Sequence, residues 1–147
     1  MIEVAVYVTH RRRRLDRVRA MRAVRAALRA EKVQTGQVTV IGISDPVCRR
    51  MNRRFLGHDY TTDVISFPLG PAGTLEGEVY VNLDRAHVQA RAYGVTPGHE
   101  AARLVIHGTL HLAGYDDRTP AKARRMRRRE DQILSRVFSR RSRTGRS

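Results

Sequence analysis

The chain has 147 residues, of which 41% are hydrophobic, and this is enough for one domain around a single core. No apolar run approaches the roughly 20 residues that a membrane-spanning helix needs, so no membrane protein is expected. The 29 basic and 14 acidic residues give a net charge of +15, which favours a polyanionic partner, nucleic acid above all.

The positive charge is concentrated at the two ends of the chain. Residues 1–32 hold 10 basic and 3 acidic side chains, and residues 118–147 hold 12 basic and 2 acidic, whereas residues 33–117 hold 7 basic and 9 acidic. Coding bias can explain the preference for arginine over lysine, but it does not explain the excess of base over acid. An anionic membrane surface is a weaker alternative, since the basic segments lack a large apolar face. We therefore expect the basic flanks to contact a nucleic-acid backbone.

The one cysteine, Cys48, cannot form an internal disulfide. A reducing, cytoplasmic location is therefore expected. We expect Cys48 to be a small buried side chain and not a nucleophile.

The first half of the chain alternates strands and helices. Residues 2–8 and 37–44 are rich in β-branched residues and predict two strands. The segment between Leu15 and Val33 predicts a helix. Asp45-Pro46 predicts the start of another helix, with Asp45 as its cap, that extends to about Phe55. The apolar residues of the first helix that recur at helical spacing are Leu15, Val18, Met21, Val24 and Leu28.

The third quarter of the chain predicts two more strands and a helix. The strands cover residues 63–68 and 77–83, with a Gly/Pro loop between them. Asp84 is the expected cap of a helix that ends near Gly94.

Two helices are predicted in the remaining segment. Thr96-Pro97 opens one that stops at Gly114, and Thr119-Pro120 opens the last one. Four strands and about five helices without strict alternation predict a single α+β domain over residues 1–139. Composition predicts a disordered basic tail over residues 140–147. The apolar residues expected to be buried on the last helix are Met126, Ile133, Leu134, Val137 and Phe138.

Residues 107–117, HGTLHLAGYDD, contain two histidines one helical turn apart. His107 and His111 can therefore present two imidazole nitrogens to one ion. Gly114 can reverse the chain at the helix end, so that Asp117 returns as a third ligand. Three protein ligands leave a fourth position for water, as in catalytic zinc sites. Spacing alone leaves open the alternative of a helix end whose imidazoles only form hydrogen bonds.

The motif resembles the signature of the YbeY family of metal-dependent endoribonucleases, H-G-x-L-H-L-x-G-Y-D-H. Residues 51–68, MNRRFLGHDYTTDVISFP, are similar to that family's L-N-x-x-[YF]-R-x-K-D-x-x-T-D-V-L-S-F-P segment. Residues 77–82, GEVYVN, resemble its G-D-I-x-I strand. The three matches occur in the family's order and cover about Met51 to Asp117.

The resemblance implies a four-stranded mixed sheet surrounded by helices and one zinc ion held by three histidines. His107 and His111 match the first two ligands, and Asp117 falls at the third. The implied activity is cleavage of single-stranded RNA and not DNA, in maturation of the 3′ end of 16S rRNA and in quality control of the small ribosomal subunit. Either a water activated by the metal or the RNA 2′-OH would attack the phosphate. The alternative is a metal-containing RNA-binding ribosome assembly factor with weak or no nuclease activity.

The layout is also similar to the metzincin protease motif, H-E-x-x-H-x-x-G-x-x-H/D. Those proteases use the glutamate after the first histidine as general base. Gly108 stands at that position, so proteolysis is not expected.

Two departures from the family pattern concern the site directly. A zinc site with Asp117 as third ligand has a net charge of about +1 instead of about +2, so we expect a less acidified water and better tolerance of other divalent metals such as Mn²⁺. The family's arginine and lysine fall at Leu56 and His58. Arg53 or Arg54 could reach the same phosphate, although a solvated helix face is the simpler interpretation.

Further side chains near the motifs are candidates for RNA contact or for support of the ligands. Asp116, Asp63 or Ser66 could orient the nucleophile, although Thr62 and Asp63 are more simply explained as caps of a turn.

Aromatic side chains near the motifs could stack on unpaired bases. Tyr115 and Tyr60 are the candidates, together with His58 as a possible RNA contact, whereas Phe55 is expected in the core. His99 lies about two helical turns before His107, too far to ligate, and Glu100 is expected to support the site by a hydrogen bond.

Overall fold

A computed structural model describes the backbone of residues 1–146 and the side chains of residues 1–138. Within this range the chain forms four strands and five helices, which confirms the α+β class. The predicted tail, residues 140–147, lies outside the described side chains and stays a prediction. The elements are β1 (Ile2–Val8), α1 (Arg17–Ala30), β2 (Gly36–Ile43), α2 (Asp45–Leu56), β3 (Val64–Pro68), β4 (Glu76–Asn82), α3 (Leu83–Tyr93), α4 (Pro97–Leu112) and α5 (Pro120–Arg146).

The four strands form one mixed sheet in the order β1-β2-β4-β3. β1, β2 and β4 run parallel, with Val6 opposite Val40 and Val40 opposite Val79. β3 is antiparallel to β4, with Ser66 opposite Val79. The central strands β2 and β4 are flanked on both sides, and their valines are fully buried as expected for parallel strands.

Helix α4 lies at the centre of the domain, in contact with α1, α3, α5, β3 and β4. Its buried residues join Val40, Val79 and side chains of α1 and α5 in one large core on one face of the sheet. A smaller cluster around Ile43, Cys48 and Ile65 lies under α2. Cys48 is fully buried, as predicted. None of the helices in the described part of the chain is long and apolar enough to cross a membrane.

Two predicted helix caps are wrong by one or two residues. Ser44, not Asp45, caps α2, because the Asp45 carboxylate accepts hydrogen bonds from Thr61 and Asn82 instead. Asn82, not Asp84, caps α3. The Asp84 carboxylate lies in a loop cluster and accepts the backbone N–H of Asp45.

Two apolar residues expected in the core are exposed. Val18 is 62% exposed, because α1 turns small side chains such as Ala20 and Ala23 toward the sheet. Phe55 is 59% exposed at the end of α2, where its ring contacts the edge of Phe67. Phe55 therefore covers the surface of the smaller cluster and is not part of its interior.

Candidate metal centre

The C-terminal end of α4 has the predicted reversal. Thr96 caps the helix, whose last residue is Leu112. Gly114 follows with a φ of 107°, in the left-handed region that favours glycine. The chain turns there and returns Asp117 to the histidines on the last turns of α4.

His107, His111 and Asp117 form a compact cluster, with one donor atom of each within 4.8 Å of the others. The Nε2 atoms of the two histidines are 3.1 Å apart. The Asp117 carboxylate oxygens lie 3.6 Å from Nε2 of His107 and 3.9 Å from Nε2 of His111. Ligand atoms at 2.0–2.1 Å from a tetrahedral zinc ion are about 3.3 Å apart, so this donor set fits such an ion.

The surroundings favour a neutral imidazole at His111. Burial lowers the pKa of His111, and the neighbouring His107 lowers it further. A neutral imidazole has the free lone pair that a metal ligand needs. Asp117 is 47% exposed, so the cluster opens to solvent on the aspartate side.

An open groove of about 450 Å³ begins at His111 and runs along β3. Its lining includes Leu56, Ser66, His58 and Tyr60. The rings of His58 and Tyr60 stack on each other with centroids 5.1 Å apart, and both residues are exposed. The groove therefore combines one candidate ligand with an exposed pair of planar rings.

Glu130 of α5 is a site residue that the sequence motifs do not predict. It is 1% exposed, and its carboxylate accepts a hydrogen bond from Nδ1 of His107. Burial alone would raise the pKa of Glu130, but the contacts with His107 and Arg103 outweigh it and lower the pKa. Metal-binding histidines commonly donate their second ring N–H to a carboxylate in this way. In the neutral imidazole, this leaves the Nε2 lone pair of His107 for the ion.

Arg103 connects Glu130 to a second buried carboxylate. Its guanidinium lies 3.0 Å from Glu130 and 2.6 Å from Glu100, and these contacts raise the pKa of Arg103 despite its burial. Glu100 therefore supports His107 only through Arg103 and Glu130, not directly as predicted. His99, predicted to be too distant to ligate, stacks against Phe138.

Ser66 and Asp63 take part in the framework of the groove. The Ser66 hydroxyl donates to the carbonyl of Gly108 at 2.9 Å, which ties α4 to β3. The carbonyls of Thr62 and Asp63 accept hydrogen bonds from Asn82. These contacts hold the turn before β3 and the start of β3 against Asn82.

Asp116 and Tyr115 point away from the cluster. The Asp116 carboxylate lies 3.6 Å from Arg118 and 3.3 Å from Lys122, and its pKa is lowered by the backbone N–H of Arg118 and by Lys122. The Tyr115 hydroxyl donates to Glu31 of α1 at 3.1 Å.

Arg53 and Arg54 are exposed on α2. Arg53 lies 3.6 Å from Asp59, and the Arg54 guanidinium lies over the Phe55 ring. Within the described side chains, neither arginine lines the groove.

Gly108 is a position of close approach between α4 and the sheet. A Cβ there would lie 2.4 Å from Cγ1 of Val79 and 3.0 Å from Oγ of Ser66. A glutamate, as proteases of similar layout require, has no room at this position.

The comparisons with known proteins agree with this geometry. The model of the family described as "Endoribonuclease YbeY" matches residues 8–138. A relative of that name from Chlorobium luteolum is 41% identical over 127 residues, covering 86% of this chain and 93% of the relative. Another from Salinibacter ruber is 39% identical and covers 88% of both chains. The solution structure of TM1509 from Thermotoga maritima superposes with a TM-score of 0.65 at 26% identity, over 98% of this chain and 95% of that one. The chain therefore belongs to the endoribonuclease YbeY family of metal-dependent hydrolases.

Proposed function

We propose that this chain is a zinc-dependent endoribonuclease that cuts single-stranded RNA in the cytoplasm. Its proposed tasks are maturation of the 3′ end of 16S rRNA and quality control of the small ribosomal subunit. The observation that carries the proposal is the convergence of three donor atoms within 4.8 Å at the start of an open groove.

His107, His111 and Asp117 are the proposed metal ligands. The half-buried imidazoles and the exposed carboxylate offer nitrogen and oxygen donors at the spacing that a small divalent ion requires. When bound, the ion supplies a Lewis acid that stabilises negative charge on the scissile phosphate.

The remaining residues of the site orient the metal ligands and bind the RNA strand. Glu130 fixes the ring of His107 by its contact with Nδ1. The groove at His111 admits a flexible single strand, and the stacked rings of His58 and Tyr60 offer an unpaired base a planar surface. Aromatic stacking is tolerant of sequence, so we expect these two rings to contribute affinity and not base preference.

The direct test is cleavage of an end-labelled single-stranded RNA by wild type, His111→Ala and Asp117→Asn, with Asp116→Asn as matched control. We expect both ligand variants to lose cleavage and bound zinc, measured by mass spectrometry, while the control keeps both. Chelator should abolish wild-type cleavage, and zinc should restore it. Equal residual cleavage in all four proteins would contradict the proposal. A 16S precursor with its 3′ extension then tests the rRNA assignment, since we expect cuts at the mature 3′ end.

A second candidate is an RNA-binding ribosome assembly factor with little nuclease activity. It is favoured by Leu56, which replaces the arginine of the family pattern at the groove, because no arginine among the described side chains lines that groove. Zinc-loaded wild type that binds RNA but leaves it intact would support this candidate. Cleavage that disappears in His111→Ala would exclude it.

A further inference from the structure

A basic cleft lies at the end of the sheet opposite the candidate metal centre. It is formed by residues 9–13, which follow β1, and by residues 44–47, which follow β2. At the metal end, Leu112 lies over Gly77 near the start of β4. Because β1, β2 and β4 are parallel, the cleft lies at their C-terminal ends, whereas Leu112 and Gly108 place the candidate metal centre beside the first half of β4, between Gly77 and Val79.

The loop that carries Arg11, Arg12 and Arg13 is held in one conformation. Nδ1 of His10 accepts the backbone N–H groups of Arg12 and Arg13 at 3.1 and 3.0 Å. Its Nε2 donates to the Asp84 carboxylate at 2.8 Å, and Nε of Arg13 donates to the same oxygen at 2.8 Å. The second oxygen of Asp84 accepts the N–H of Asp45. These contacts order the loop in the free protein. Binding of a ligand to its arginines therefore costs little conformational entropy of the loop.

The cleft has an excess of unpaired positive charge. Arg11, Arg12 and Arg50 are exposed, and none of them has a carboxylate within ion-pair distance among the side chains of residues 1–138. Asp84 is the one acidic residue in the described lining, and its oxygens are already occupied. The cleft encloses about 770 Å³, which admits a phosphate and its sugar. Arginine forks match phosphate oxygens in geometry and charge.

We propose that Arg11, Arg12 and Arg50 form a second RNA-binding site, which holds the phosphodiester backbone of a strand whose other part lies at the candidate metal centre. The inference rests on the proposed function, since it takes single-stranded RNA as the ligand. No aromatic side chain lines the cleft in the described part of the chain, so it holds phosphates without reading bases. The cleft thereby favours strands long enough to reach both ends of the sheet.

The test compares wild type with the triple variant Arg11→Gln/Arg12→Gln/Arg50→Gln, which leaves the Arg13–Asp84 contact intact. The matched control, Arg49→Gln/Arg85→Gln/Arg91→Gln, removes the same charge from exposed positions outside the cleft and outside the two basic flanks. Binding of single-stranded probes of about 5 and about 20 nucleotides is measured at several salt concentrations in chelator, so that no RNA is cut. Thermal unfolding verifies that both variants are folded.

We expect the triple variant to weaken binding of the long probe and to reduce the slope of log Kd against log salt by about 2, since each lost phosphate contact removes about 0.7. The short probe should bind, and with metal be cut, as in wild type. An unchanged slope, or an equal loss in the control variant, would overturn the cleft site while cleavage of the short probe upholds the proposed function. If the triple variant has a reduced salt slope but wild type cleaves neither probe, the cleft site would be upheld and the proposed nuclease function would be overturned. Loss of binding to phosphatidylglycerol vesicles alone would assign the cleft to a membrane surface instead.

Discussion

The carboxylate of Glu130 on α5 contacts Nδ1 of His107 on α4 and thereby connects the last helix to the candidate metal centre. Both oxygens of this buried carboxylate are used, one by His107 and the other by Arg103. The orientation of His107 therefore depends on a residue 23 positions away in the sequence.

Replacing Glu130 by glutamine should weaken metal binding. The amide keeps the size of the side chain but removes the charge that orients the His107 ring. Because loss of such a partner typically lowers metal affinity about 10- to 100-fold, we expect a loss of zinc affinity of about that size. Competition with a chromophoric zinc chelator measures the change. Asp131→Asn, an exposed neighbour on the same helix, is the control and should bind zinc as wild type does. Equal zinc affinity in Glu130→Gln would show that the contact does not support the site.

Gly108→Ala should destabilise the domain although alanine is the better helix former. The new Cβ would lie 2.4 Å from Cγ1 of the buried Val79. Overpacking of this kind costs about 1–3 kcal/mol, which outweighs the roughly 1 kcal/mol gained in helix propensity. Urea unfolding measures the difference. Gly98→Ala in the same helix meets only the end of the flexible Arg19 side chain and should be neutral or slightly stabilising. An equal response of the two variants would contradict the close approach of α4 to the sheet.

The sequence predicts most of the fold because its patterns are local. Alternating β-branched residues, helical spacing and Pro-based helix starts locate the four strands, the first four helices and the start of α5 to within a few positions. The errors have a common cause. Asp45 and Asp84 are good capping residues in isolation, but tertiary hydrogen bonds engage their carboxylates, and Ser44 and Asn82 cap the helices instead.

The candidate site is predictable from sequence only where its residues share one motif. His107, His111 and Asp117 lie in a single segment, so helical spacing and a glycine turn are enough to bring them together. Glu130 belongs to a distant helix rich in arginine. Its spacing with Met126 and Ile133, inside the apolar stripe of α5, is the one signal that predicts its burial, but the partner depends on how α5 packs against α4.

Asp117→His should change the metal preference of the site. The wild-type donor set of two imidazoles and one carboxylate is harder and more negative than three imidazoles, so it tolerates Mn²⁺ better relative to Zn²⁺. We expect the ratio of the Mn²⁺ and Zn²⁺ dissociation constants to rise by about tenfold or more in Asp117→His. Competition titrations with both metals measure this ratio. Asp116→Asn, whose carboxylate faces Arg118 and Lys122, should leave it unchanged. An unaltered ratio in Asp117→His would mean that Asp117 does not bind the metal.

Asp84→Asn should remove an acid-sensitive part of the stability and loosen the arginine loop. Burial tends to raise the pKa of Asp84. The hydrogen bonds from the backbone N–H of Asp45 and from the side chains of Arg13 and His10 outweigh this effect and lower the pKa from 3.8 to about 2. A lowered pKa means that the charged form stabilises the fold above pH 3.8, and that this contribution is lost as the pH falls toward 2. In urea unfolding, wild type should therefore exceed Asp84→Asn in stability at pH 7, and the difference should shrink between about pH 4 and about pH 2. Asp59→Asn, at an exposed carboxylate paired with Arg49, corrects for the loss of one charge. A difference that stays constant over this range would show that the Asp84 cluster does not hold the loop through its charge.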